Sequence, residues 1–193
     1  MNIQIQSGSP RKNSLTLRVA KAIARNIEGT HPYTLVDFNE YDIPFINQGI
    51  VDENQLTPFQ QKLLDGWKNA DLIFVLSPEY NWFPAAELVN MIHQLGTRQH
   101  RHLFDGKVFA FVGTSNGRGG RIPTTQLTTI YNKLINVLGS HSVVSAKAFE
   151  SQFTQTVLDG EGNSLGNQEY DKGLTAFIDY SLKIAERWAH YDG

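Results

Sequence analysis

The sequence predicts an α/β fold: one doubly wound domain over residues 1–193, with a five-stranded parallel sheet in the order 2-1-3-4-5 and helices on both faces. Three observations predict it. Strand-like and helix-like periods alternate from end to end, which is the pattern of repeated strand–helix–strand units. The apolar run "DLIFVL" reads as a strand buried on both faces. A chain of 193 residues without a composition break, internal repeat or low-complexity stretch fits one domain with a real core.

The elements follow in order. "NIQIQS" alternates apolar and polar residues as a first strand, and "SLTLRVAKAIARNI" continues at helical spacing with Val19, Ile23 and Ile27 on one face. "YTLVDF" is a second strand and "TPFQQKLLDGWKNA" a helix. "DLIFVL" is the third strand, followed by "PAAELVNMIHQLG", a helix opening on Pro84 and stopping at Gly96. "KVFAFVG" is the fourth strand. The next helix, "PTTQLTTIYNKLINVLG", starts at Pro123, turns Leu127, Tyr131, Leu134 and Leu138 inward and stops at Gly139. "HSVVSAKAF" is a fifth strand. After the irregular polar stretch "LDGEGNSLGN", a last helix runs through "KGLTAFIDYSLKIAERWAHY".

Composition narrows the function. A formal net charge of −2 argues against a general binder of nucleic acid or acidic membrane. Cysteine is absent, which removes disulfides, thiolate metal sites and cysteine nucleophiles and fits a reducing compartment. "MNIQIQSGSPRKNS" lacks the apolar stretch of a signal peptide, and no apolar run approaches the ~20 residues of a membrane span. The expectation is a soluble cytoplasmic protein.

In a sheet of this order the carboxyl ends of strands one, three and four are neighbours, and ligands bind at that switch point. Three unusual loops leave those ends. "GSPRKNS" suits an anion: Ser9 and Ser14 offer hydroxyls, Arg11 a planar fork of donors, and the following helix its free N–H groups. Residues 1–27 hold five bases and no acid, although Arg18, Lys21 and Arg25 read as a solvated helix face. The Gly-x-x-x-x-Gly-Lys-Ser/Thr pattern is missing, so a bound nucleoside triphosphate is not expected. "SPEYNWFP" offers Tyr80, Trp82 and Phe83 as flat apolar surface, stiffened by Pro78 and Pro84. Glu79, with no second carboxylate nearby in sequence, reads as a structural residue that bonds backbone or a neighbouring subunit.

"GTSNGRGG" carries Gly113, Gly117, Gly119 and Gly120, which allow close approach to a flat ligand. Gly113 to Gly117 also match the Gly-x-Ser-x-Gly nucleophile elbow. A hydrolase built on Ser115 would draw on Asp159 or Asp171 and on His190, but a helix starting at Pro123 is too late for an elbow. "HQLGTRQHRH" places His93, His100 and His102 close together and reads as a solvated basic turn rather than a metal site.

Together the loops resemble the NADPH-dependent FMN reductase family of the flavodoxin-like fold, which includes chromate, quinone and azo-dye reductases. Gly8, Ser9, Arg11 and Ser14 match the family's Gly-Ser-x-Arg-x-x-Ser. Pro78, Glu79, Tyr80 and Asn81 match its Pro-Glu-Tyr-Asn, and Ser115, Gly117, Gly119 and Gly120 its glycine-rich loop. "VDFNEYDIPFIN", "NADLIFVLSPEYN" and "LDGEGNSL" are similar to flanking family segments, so the likeness spans nearly the whole chain.

The resemblance implies bound FMN, with its phosphate on Ser9, Arg11, Ser14, Leu15 and Thr16. Its ring would lie against Pro78, Glu79, Tyr80, Asn81 and Trp82 and against Ser115, Asn116, Gly117, Gly119 and Gly120. Thr16 stands where the family often has asparagine. After Asn81 the family's small residues give way to Trp82 and Phe83, which implies a narrower crevice over the flavin. The implied activity takes hydride from NAD(P)H, as a passing substrate, to flavin N5 and on to a small-molecule electron acceptor, with no catalytic side chain. The implied assembly is a homodimer or homotetramer. A flavodoxin-like electron carrier is the alternative reading, and the serine hydrolase a more distant one.

Overall fold

The structure, a computed structural model, describes residues 1–189. Six strands are ordered along the chain: β1 Ile3–Ser7, β2 Tyr33–Asp37, β3 Leu72–Pro78, β4 Val108–Thr114, β5 Val143–Val144 and β6 Phe149–Ser151. The helices are α1 Leu15–Ile27, α2 Pro58–Asn69, α3 Ala86–Leu95, α4 Arg121–Leu138, α5 Thr154–Val157 and α6 Gln168–Ala189. The sheet runs β2-β1-β3-β4-β5, all parallel, so the expected flavodoxin-like order is found.

The period-2 pattern assigns the two faces of the sheet. On β3, Leu72, Phe74 and Leu76 join the core shared with α1 and α6, while Ile73 and Val75 join the core beneath α2, α3 and α4. The polar half of β1 is buried as well. Gln4 donates from Nε2 to the Leu63 carbonyl at 3.2 Å, and Gln6 Oε1 accepts from Trp67 Nε1 at 3.1 Å. Those bonds offset part of the cost of burying two amides in a sheet covered on both sides, although Gln4 Oε1 keeps no partner.

Local chemistry explains several helix ends. Ser14 caps α1 through the Leu17 N–H, and Thr57 with Gln60 forms a capping box at the start of α2. Gly139, at φ 62°, closes α4 in the left-handed conformation. Three starts differ from expectation. α6 begins at Gln168, four residues before the expected Lys172. α3 begins at Ala86 rather than Pro84, because the Pro84 stretch is still part of the incoming loop. α4 begins at Arg121, and Pro123 falls within its first turn, where a missing N–H costs nothing.

The expected fifth strand is broken in two. Val143–Val144 pair with Val108–Phe109 and Phe149–Ser151 with Val112–Thr114, both parallel to β4. Between them Ser145 turns its hydroxyl onto the Lys147 carbonyl at 3.0 Å, a local bond that competes with the ladder. The one-turn helix α5 is an addition to the expected elements. Arg18, Lys21 and Arg25 are more than a solvated face. They donate to the Leu158 carbonyl, the Glu161 carboxylate and the Glu161 carbonyl at 3.1, 2.8 and 3.2 Å, tying α1 to the turn before α6. Among the described residues no helix is long and apolar enough to cross a membrane.

Candidate active site

The ends of β1, β3 and β4 lie side by side, with Ser7 opposite Leu76 and Pro78 opposite Thr114. The loops leaving them enclose a cleft of about 290 Å³, close to the small end of the range for small-molecule pockets. Ser9, Arg11, Ser14, Leu15 and Thr16 line it from the first loop, Pro78, Glu79 and Tyr80 from the second, and Ser115 and Asn116 from the third. Asn81, Trp82, Gly117, Gly119 and Gly120 are not part of this lining. Lys12, Asn13 and Thr114 are, and the sequence reading did not single them out. Asn13 carries a trace of the signal: its φ of 52° is a left-handed turn position that asparagine tolerates.

The first loop is preset by its own polar groups. The Arg11 N–H donates to Ser9 Oγ at 3.4 Å, and Ser9 Oγ lies 3.0 Å from the Tyr80 hydroxyl. The Arg11 guanidinium stacks over the Tyr80 ring, 4.6 Å from its centroid, which holds the cation at the mouth of the cleft. Because Ser14 Oγ caps only the Leu17 N–H, the N–H groups of Leu15 and Thr16 have no intrahelical acceptor. Thr16 is fully buried, and its hydroxyl meets Thr114 Oγ1 at 2.7 Å.

The second and third loops lock onto each other. The Glu79 carboxylate accepts the Gly120 N–H, so this glutamate bonds backbone as its isolation in sequence implied. A Cβ on Gly119 would come 2.9 Å from that carboxylate, and one on Gly113 would come 2.0 Å from the Gly120 carbonyl oxygen. Here glycine is required by close approach of backbone, not by mobility. Beyond Glu79 the loop turns sharply, and Tyr80 and Phe83 exchange both backbone hydrogen bonds at 3.0 Å. Trp82 is 69 % exposed and Phe83 62 %, and Phe83 lines a separate apolar groove with Val89 of α3 and Ile130 of α4.

Ser115 is not built as a nucleophile. Its Oγ accepts the Gly117 N–H at 3.2 Å, and α4 starts only at Arg121, so there is no strand-to-helix elbow at the serine. The carboxylates of Asp159 and Asp171 are taken by Asn163 and Ser164, and His190 lies outside the described residues. In the histidine cluster His93 and His102 are exposed, as a solvated turn requires, and His100 alone departs from it. His100 is 3 % exposed, with Nε2 3.4 Å from Glu53, and His102 lies 3.6 Å from the same carboxylate.

Comparisons with known proteins agree with this geometry. The NAD(P)H-dependent FMN reductase LOT6 of Saccharomyces cerevisiae is 27 % identical over 163 residues, covering 74 % of this chain and 80 % of the yeast protein. The flavoenzyme FerB, an NAD(P)H:(acceptor) oxidoreductase from Paracoccus denitrificans, superposes with a TM-score of 0.72 at 20 % identity, over 96 % of this chain and 97 % of its own. A flavodoxin from the domain Archaea gives 0.55 at 16 % identity, over 97 % and 99 %. At these identities the two structures speak for the fold alone. The sequence model of the NADPH-dependent FMN reductases matches residues 1–150, which include all three loops of the cleft.

The residues present fit that family's cofactor. Two serine hydroxyls, an arginine and the free Leu15 and Thr16 N–H groups at the start of α1 form a donor-rich set suited to a phosphate monoester, and a tyrosine stands beside it. With the sheet order and the cleft in agreement with the sequence match, the chain belongs to the NADPH-dependent FMN reductase family, with FMN as cofactor and NAD(P)H as its substrate.

Proposed function

We propose that the protein passes hydride from NAD(P)H by way of FMN to a small acceptor: a quinone, a free flavin, an azo compound or a metal oxyanion. The observation that carries this reading is the convergence of Ser9, Arg11, Ser14 and Tyr80 on one cleft at the N-terminal end of α1. In this reading Ser9, Arg11 and Ser14, with the N–H groups of Leu15 and Thr16, hold the phosphate. Pro78 to Trp82 and Ser115 to Gly120 border the ring. FMN, held by these residues, would supply the hydride-accepting redox chemistry. The chain's own work is to bind and orient: Arg11, propped on Tyr80, fixes the anionic end, and Glu79 holds the second and third loops at constant spacing. No side chain is needed to move a proton for hydride transfer.

The exposed Phe83 and the apolar groove beside it support pairing of two copies across α3 and α4. Sedimentation velocity showing only monomer at micromolar concentration would refute that assembly. A cytoplasmic location fits the same reading.

Two measurements test the function. Arg11→Ala is expected to weaken FMN binding by about 1.5–3 kcal/mol, the range for hydrogen bonds to charged groups. Titration of apoprotein reads this out, and unaltered affinity would remove the phosphate assignment. In stopped flow, NADPH is expected to bleach the flavin bands within the mixing time or shortly after. Bands that stay unbleached would favour the electron-carrier reading.

A further inference from the structure

We propose that Ser151–Gln155 is a brace that fixes the third loop, residues 115–120, before any ligand arrives, and that Thr154 is its positioning residue. The inference rests on the reading that this loop borders the flavin. The brace itself lies just beyond residues 1–150, the part of the chain matched by the family.

Five hydrogen bonds join the two segments. The Ser115 N–H donates to the Ser151 carbonyl at 2.9 Å. In return the Phe153 N–H donates to the Gly117 carbonyl at 3.0 Å and the Thr154 N–H to the Ser115 carbonyl at 3.1 Å. Thr154 Oγ1 reaches that same Ser115 carbonyl at 3.1 Å, and Gln155 Nε2 donates to the Asn116 carbonyl at 2.9 Å. Three consecutive loop carbonyls are therefore engaged from behind. Among the described residues the N–H groups of Asn116, Arg118 and Gly119 keep no protein partner, and Asn116 lines the cleft, where a free donor suits an acceptor-rich ring edge.

Two features mark this as more than a passing contact. Phe153 sits at φ 46°, a left-handed conformation that is uncommon for an aromatic residue. That turn aims its own N–H and that of Thr154 at the loop, so the strain coincides with the bonds it permits. Behind Thr154 runs a buried chain of hydroxyls. Thr154 Oγ1 lies 2.8 Å from Ser151 Oγ, which lies 2.8 Å from the Tyr170 hydroxyl at the start of α6. Thr154 and Ser151 are fully buried. Burial pushes the Tyr170 hydroxyl up to about 12, so it stays a donor at the head of the chain throughout the neutral range. Ordered from Tyr170 through Ser151 to Thr154, the three O–H groups end on the Ser115 carbonyl, or on that of Ser151 at 2.9 Å.

The test compares Thr154→Val, which keeps the shape and removes the hydroxyl, with Thr154→Ser, which keeps the hydroxyl. Amide exchange of residues 115–120 in apoprotein is the first readout and FMN titration the second. For Thr154→Val we expect loop exchange about fivefold faster and an FMN Kd raised about five- to tenfold, with Thr154→Ser close to the parent on both. A folded Thr154→Val protein with parental exchange and affinity overturns the brace. If that variant fails to fold, Tyr170→Phe trims only the far hydroxyl; about twofold faster exchange supports the brace, and parental exchange overturns it.

Arg11→Ala separates this inference from the flavin reading. If Arg11→Ala weakens FMN while Thr154→Val changes nothing, the brace alone falls. If Thr154→Val loosens the loop but neither variant alters FMN affinity, the flavin reading falls.

Discussion

Trp82 occupies a backbone position that suits asparagine or glycine. Tyr80 and Phe83 form a hydrogen-bonded pair around two residues of positive φ, Asn81 at 48° and Trp82 at 67°. This is the sign pattern of a tight two-residue hairpin turn, in which side chains larger than asparagine crowd the backbone. With so much of the indole in solvent, burial does little to offset that cost. Trp82→Gly is therefore expected to raise stability by about 1 kcal/mol, read as a higher denaturant midpoint at unchanged slope. A lower midpoint would mean that the indole makes contacts outweighing its strain. The sequence showed Trp82 as the place where the chain leaves its family's pattern. Its left-handed backbone was not legible, because tryptophan carries no turn signal. Neither was its position outside the cleft lining, since side-chain direction in a hairpin depends on the pairing of Tyr80 with Phe83.

At the scale of elements, the core under α2, α3 and α4 is an aromatic layer. Tyr131 of α4 packs 4.8 Å from Phe109 and 5.0 Å from Phe111, and Trp67 of α2 packs 4.8 Å from Phe104. The helical spacing of Leu127, Tyr131, Leu134 and Leu138 made this inward face legible from the chain alone: Leu127, Tyr131 and Leu138 are buried, and Leu134 packs half-buried against the same core. The Tyr131 hydroxyl has no partner in that layer, and burial pushes its pKa upward. An unsatisfied buried hydroxyl costs about 1–3 kcal/mol. Tyr131→Phe should therefore raise the thermal midpoint, and a lowered midpoint would show that the hydroxyl has a partner after all. What the sequence concealed has a common cause. The break between β5 and β6, the bonds from Arg18, Lys21 and Arg25 to the turn before α6, and the brace on the third loop all depend on partners far along the chain. Periodicity reports which face a residue takes, not which distant carbonyl it will meet.

At the scale of the whole molecule, the long connection from β2 to α2 is held down by contacts that no local pattern announces. Asn90 and Gln94 of α3 both donate to the Pro44 carbonyl, at 3.0 and 2.8 Å, and Gln94 also reaches the Gly49 carbonyl at 3.1 Å. Farther along, Glu53 faces His100 and His102 across the opening between this strap and the turn after α3. Burial lowers the His100 pKa below its ordinary 6.5; Glu53 opposes that shift and His102 adds to it. The folded state thus takes up this proton less readily than the unfolded chain does. The stability that depends on neutral His100 is present above 6.5 and is lost as pH falls from there through the folded pKa. His100→Asn, which cannot titrate, should flatten the fall of the melting temperature between about pH 6.5 and pH 5. Glu53→Gln should steepen it, since removing the carboxylate removes the one charge here that supports the imidazolium. Parallel melting curves for parent and both variants across that window would mean that the strap is held by Asn90 and Gln94 and that His100 plays no part in acid unfolding.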